Sequence, residues 1–70
     1  MSKAHQILGK NVVRLRMTLH MTQEQMAEKA EISHRYLQSI EAGSKQPSIN
    51  VVAQLRLALG CSWDELLRGV

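Results

Sequence analysis

Leu8, Val12, Leu15 and Leu19 recur at intervals of 4, 3 and 4 residues, so they fall on one face of a helix running from about His5 to Leu19. Lys10, Arg14 and Thr18 share a different, polar face of the same segment. Four more short helical segments follow, each bounded by a start or stop signal. The second begins after Thr22, where Thr22 and Gln25 have capping-box spacing and Met21 and Met26 have the spacing of a hydrophobic staple. It covers Gln23 to Ala30, with Met26, Ala27 and Ala30 directed inward. The third follows the N-cap Ser33 and repeats the staple with Ile32 and Leu37. Leu37 and Ile40 form its inward pair, and Gly43 suits a left-handed stop. The fourth is capped by Ser48, carries Val52, Leu55 and Leu59 on its stripe, and ends at Gly60. The fifth opens on Ser62-Trp63-Asp64-Glu65, another capping box, with Cys61 and Leu66 at staple spacing. Nothing alternates with a period of two for long enough to make a strand, and no repeat or linker interrupts the chain. The pattern predicts an all-α fold of five helices.

The informative pair is the second and third segments, joined by the tight connection Glu31-Ile32-Ser33. Ala27 lies midway along the first of them, where a small side chain allows a close helix crossing. Ile32, Leu37 and Ile40 would fix the second helix against it. His34, Arg35, Gln38 and Ser39 are then left facing outward, and all four can hydrogen-bond. Two short helices in this relation form a helix-turn-helix, whose second helix enters the DNA major groove with its N-terminal end leading. The motif spans residues 23–42, with its recognition helix at 33–42.

Composition alters this picture little. Seventy residues are expected to form one domain, 1–70, with a modest core. The net charge of +3 is uneven: residues 1–21 carry Lys3, Lys10, Arg14 and Arg16 and no acid. A basic end favours a polyanion, but on charge alone a solvated face is the simpler reading. Cys61 is the only cysteine and cannot form an internal disulfide. With no Cys/His cluster, no metal or other cofactor is expected. A buried apolar role suits Cys61 better than a reactive one, and a reduced, cytoplasmic setting fits. No apolar run approaches the ~20 residues of a membrane span, and the N-terminus lacks the apolar stretch of a signal peptide. No nucleophile–base set or phosphate-cradling glycine loop points to an enzyme, and no small-molecule ligand is evident.

The order of Leu15-Arg16, Met21-Thr22-Gln23, Met26-Ala27, Ile32-Ser33, Tyr36-Leu37, Ile40-Glu41-Ala42-Gly43, Pro47-Ser48, Leu59-Gly60 and Asp64-Glu65-Leu66-Leu67 resembles the Cro/repressor-type (Xre-like) regulators of bacteria and phages. The resemblance covers about Leu8 to Leu67. It implies a five-helix, lambda-repressor-like DNA-binding domain, double-stranded operator DNA as partner, and a homodimer on an inverted repeat. It implies base contacts from His34, Arg35 and Ser39. Backbone contacts are implied for Thr22, Gln23, Tyr36, Gln38 and Lys45, with Gln23 also buttressing the recognition helix. Arg16 and Glu41 match a partly buried structural ion pair. Trp63, Leu66, Leu67 and Val70 are expected either to close the core or to join Leu57 in the dimer seam. An alternative is an antitoxin-like interaction module whose DNA binding is secondary.

The chain departs from the family pattern at four places. Glu31 and His20 stand where glycine is usual. Glu31 is expected to distort the turn slightly, because a left-handed conformation disfavours residues with a side chain, and to put a negative charge in the motif. Arg56 replaces a usually small buried alanine, and Leu57 a usually polar residue, which unsettles the expected packing of the fourth helix.

Overall fold

The computed structural model describes residues 3–70. Among them the chain forms five helices and no strand: α1 (Lys3–Thr18), α2 (Gln23–Ala30), α3 (His34–Glu41), α4 (Ile49–Leu59) and α5 (Trp63–Leu66). The starts of α2 to α5 are set by hydroxyl caps. Thr22 and Ser62 close full capping boxes with Gln25 and Glu65, while Ser33 and Ser48 accept from the backbone amides of Tyr36 and Val51. Each cap satisfies an amide that the first helical turn leaves without a partner.

The inward residues converge on one cluster. Val12, Met26, Leu37, Ile40, Leu55 and Leu66 are its most deeply buried large side chains. α1 packs on α3, α4 and α5, and α2 packs on both α3 and α4. α3 is therefore held from two sides, with Leu37 and Ile40 as its anchors.

One expectation for the apolar pattern is corrected and one alternative is decided. α1 ends at Thr18, and Leu19 is 46% exposed rather than part of the buried stripe. Leu19 N–H still donates to the carbonyls of Leu15 and Arg16, but the chain turns away at His20, which takes φ 57°. Met21 packs against the core instead. Leu66, open between the core and a dimer seam, is fully buried and so belongs to the core and not to a seam. The capping box at Ser62 orients this one-turn helix so that Cys61 and Leu66, the staple pair, both point inward. Burial is also the chief reason the Cys61 thiol pKa is raised, with the Glu65 charge adding to it.

Glu31 is the C-cap of α2 at φ 60°, ψ 40°, and its N–H donates to the carbonyls of Ala27 and Glu28. The turn keeps the left-handed geometry that glycine would take, so the strain is borne by Glu31 and the turn is not distorted. Because Glu31 is exposed and its side chain anchors nothing in the core, Glu31→Gly is expected to stabilise the fold by about 1 kcal/mol. Thermal unfolding would register this as a rise of about 4–8 °C. An unchanged or lower midpoint would show that the turn is not strained.

α4 keeps Val52, Leu55, Ala58 and Leu59 buried around Arg56, although the buried Arg56 Nε has no hydrogen-bond partner among the described residues. Arg56 is half-buried, with its guanidinium 5.2 Å from the Trp63 ring centroid and Nη1 donating to the Cys61 carbonyl at 3.2 Å. Its neighbour Leu57 is 68% exposed.

Candidate nucleic-acid interface

Ser33 and Ala42 flank α3 as its N- and C-caps, and Gly43 follows at φ 77°. With Leu37 and Ile40 buried, His34, Arg35 and Gln38 lie exposed on the outer face, while Tyr36 and Ser39 are half-buried beside them. Ser33, Arg35, Tyr36, Ser39 and Lys45 line one shallow cleft of about 240 Å³. The fold thus brings Lys45, from the loop before Pro47, to the same surface as α3. The Ser39 hydroxyl donates to the Arg35 carbonyl at 3.2 Å. That leaves its oxygen free to accept.

Behind this face runs a hydrogen-bonded chain that links three helices. Arg16 on α1 donates through Nε to Glu41 Oε2 at 2.8 Å and through Nη2 to Oε1 at 3.2 Å. Its remaining nitrogen, Nη1, donates to the Met21 carbonyl at 2.9 Å. Gln23 on α2 donates to Glu41 Oε1 at 2.7 Å, and its Oε1 lies 3.2 Å from His34 Nε2. Gln23 therefore grips α3 at both ends, His34 at the first residue and Glu41 at the last. The Arg16 and Glu41 side chains are only 14% and 5% exposed, so little solvent screens this pair. Thr22 is occupied locally: its hydroxyl oxygen accepts from Gln25 N–H and its own N–H donates to Gln25 Oε1. The hydroxyl hydrogen remains available.

Two supports of this surface escape sequence reasoning. Gly9 on α1 is buried against the last turn of α3, where an added Cβ would lie 2.5 Å from the Ile40 carbonyl oxygen and 2.7 Å from that of Glu41. A glycine inside a helical pattern is itself a signal of close approach. Asn11 is buried and donates to the carbonyls of Leu66 and Arg68 at 2.8 and 2.9 Å, tying the C-terminal turn to α1. Only its polarity on an apolar face could have marked it.

Among the candidates for a dimer seam, Leu57, Trp63 and Val70 are exposed at 68%, 39% and 55% and Leu67 is half-buried, in contrast to Leu66. Ile49, also on α4, is 69% exposed. Among the described residues, no His/Cys/Asp/Glu group could hold a metal ion, and no helix is long and apolar enough to cross a membrane.

Known proteins are similar to this chain in sequence or in fold. An uncharacterized HTH-type transcriptional regulator of Sinorhizobium fredii, y4dJ, is 36% identical over 61 residues, covering 87% of this chain and 79% of that protein. The crystal structure of the clp gene regulator ClgR from Corynebacterium glutamicum superposes with a TM-score of 0.90 at 29% identity, covering 94% of this chain and 85% of the other. The restriction-modification controller protein C.Esp1396I, solved as a tetramer in complex with its natural 35 base-pair operator, has the same fold. It superposes with a TM-score of 0.85 at 22% identity, covering 97% of this chain and all of that one. The sequence model of the helix-turn-helix family matches residues 13–66, which include α2, the turn and α3 whole. By this match and by its fold, the chain belongs to the helix-turn-helix family of Cro/repressor (Xre) type, a DNA-binding family of transcriptional regulators.

Proposed function

We propose that this protein is a sequence-specific DNA-binding transcriptional regulator that binds an inverted-repeat operator as a homodimer, with α3 in the major groove. The observation that carries the reading is the outer face of α3: three exposed hydrogen-bonding side chains on a helix whose other side is locked into the core. Arg35 is the main reader, because a guanidinium can donate two parallel hydrogen bonds to guanine O6 and N7. His34 and Ser39 contact neighbouring base edges. Thr22, Gln23, Tyr36, Gln38 and Lys45 hold phosphates, which positions the helix without reading sequence. Gln23 keeps one amide hydrogen for that purpose after serving Glu41.

Two-fold symmetry follows from the inverted repeat. Half-sites one helical turn apart place the two α3 helices about 34 Å from each other. A single copy has Cα extents of 26 × 23 × 20 Å, so two fit side by side over that distance. Exposed Leu57 and the half-exposed Trp63 supply apolar area for the contact between copies. The C.Esp1396I–operator complex supports the proposal only as an example of this fold on DNA. The reading needs no cofactor and no catalysis, and it carries a cytoplasmic location, where the single thiol stays reduced.

Arg35→Ala is expected to weaken binding to the selected operator by about 1–3 kcal/mol while leaving random-sequence DNA nearly unaffected. Wild-type affinity is expected to fall steeply between about 50 and 200 mM salt, because binding releases counterions from the phosphates. Fluorescence anisotropy on both DNAs measures each effect. Equal losses on operator and random DNA would remove Arg35 from base reading, and a flat salt response would contradict phosphate binding altogether.

A second reading draws on the exposed Ile49 and Leu57 of α4. An antitoxin-like interaction module would use that surface for another protein, with DNA binding secondary. Co-purification of a stable partner, together with no selected DNA sequence, would favour it.

A further inference from the structure

We propose that the Arg16–Glu41–Gln23 chain sets the hydrogen-bonding polarity of His34, so that its neutral ring offers the major groove an acceptor, Nδ1, and reads an exocyclic base amine. This rests on the DNA-binding reading above and assigns to His34 a class of base.

The direction of the chain is fixed link by link. Arg16 can only donate, and two of its nitrogens donate to Glu41. An ionised Glu41 can only accept. The group of Gln23 that lies 2.7 Å from Glu41 Oε1 must therefore be its amide NH₂, which turns the carbonyl oxygen toward His34. That oxygen can only accept, so the ring nitrogen 3.2 Å away, Nε2, must carry hydrogen. In a neutral imidazole the other nitrogen then has a bare lone pair. His34 is exposed at the first residue of α3, the end that leads into the groove.

The major groove offers hydrogens from two base groups, adenine N6 and cytosine N4. Guanine presents only acceptors there, so the neutral ring of His34 has no hydrogen for it. Arg35, the adjacent residue, is always a donor and suits guanine. The two neighbours thus ask opposite things of adjacent base pairs. Gln23 and Glu41 act as positioning residues in this scheme, reaching the DNA base through His34.

The first test needs no DNA. In ¹⁵N-resolved NMR of the free protein at about pH 8, where imidazoles are largely neutral, His34 Nε2 should have the shift of a protonated nitrogen and Nδ1 that of a bare one. In Gln23→Ala both should move toward averaged values, with the rest of the spectrum showing a folded domain. A majority Nδ1–H form in the wild type, or identical shifts in the two proteins, would overturn the proposal.

The second test uses selected operator DNA. The base pair whose preference is lost in His34→Ala marks the contact. Removing the exocyclic amine there, by purine for adenine or 2-pyrimidinone for cytosine, should weaken wild-type binding about fivefold and leave His34→Ala unchanged. A required guanine N7 at that position, revealed by 7-deazaguanine, would contradict the assignment. Failure to select any sequence would instead defeat the DNA-binding reading and the base class with it, while the NMR result would still decide the ring polarity.

Discussion

Gly9→Ala is expected to destabilise the protein by about 3 kcal/mol, the upper part of the usual range for overpacking a tight interior. The new Cβ would fall 2.5 Å from the carbonyl oxygen of Ile40 and 2.7 Å from that of Glu41. Both are backbone atoms in the last turn of α3, so no side chain can rotate away. Alanine would gain about 1 kcal/mol of helix propensity over glycine, which sets the opposing term. The clash wins only because α3 cannot retreat: Ile40 is buried on its other side and Glu41 is tied to Arg16 and Gln23. A protein of this length has only several kcal/mol in total, at about 0.05–0.15 kcal/mol per residue. The thermal midpoint should accordingly fall by more than about 10 °C. What stability survives would come with α3 displaced from α1, so operator affinity should fall as well. A midpoint that rises would mean that propensity outweighs the contact and that α1 and α3 are not closely apposed at Gly9.

Leu66→Ala is expected to cost about 2–5 kcal/mol, the range for emptying a buried leucine site. α5 is too short to persist by its own propensity. It is held by the fully buried Leu66, by the Ser62–Glu65 capping box, and by Asn11, which donates to the carbonyls of Leu66 and Arg68. Removing the leucine leaves a cavity at the centre of that attachment. Leu57→Ser provides the contrast, since Leu57 is 68% exposed and its replacement should change the stability of a single copy by less than about 0.5 kcal/mol. Urea unfolding at low protein concentration separates the two. If Leu66→Ala altered the oligomeric state while leaving the urea midpoint in place, Leu66 would belong to an interface and not to the core.

Local chemistry made most of the fold readable in the sequence. Hydroxyl caps and staples act within four or five residues, so the starts of α2, α3, α4 and α5 could be placed from their spacing. His20 and Glu31 could be assigned a glycine-like conformation from the family pattern, and both have positive φ. Periodicity was a poorer guide at the ends of helices. It carried Leu19 one step beyond the point where α1 ends, and it did not decide which side of a four-residue helix Leu66 would take.

Contacts between distant segments were less legible. Gly9 matters because of two carbonyls about thirty residues away, and Asn11 because of two carbonyls more than fifty residues away. The residues of the candidate interface could be named, since burial of Leu37 and Ile40 leaves only one outward face on α3. The chain from Arg16 to His34 could not be read beyond its Arg16–Glu41 and Gln23 members, because hydrogen-bond direction depends on which atoms meet. Arg56 shows the same limit: its position suggested disturbed packing, yet Trp63 and the Cys61 carbonyl receive its guanidinium.

The central claim is that α3 reads DNA in a symmetric pair, and in-vitro selection of bound DNA followed by sequencing tests it most directly. The account predicts enrichment of an inverted repeat whose half-site centres lie about one helical turn apart, with a guanine preference in each half that disappears when Arg35→Ala is used for the selection. No enrichment over random DNA would contradict sequence-specific binding, and an enriched site without two-fold symmetry would contradict the homodimer.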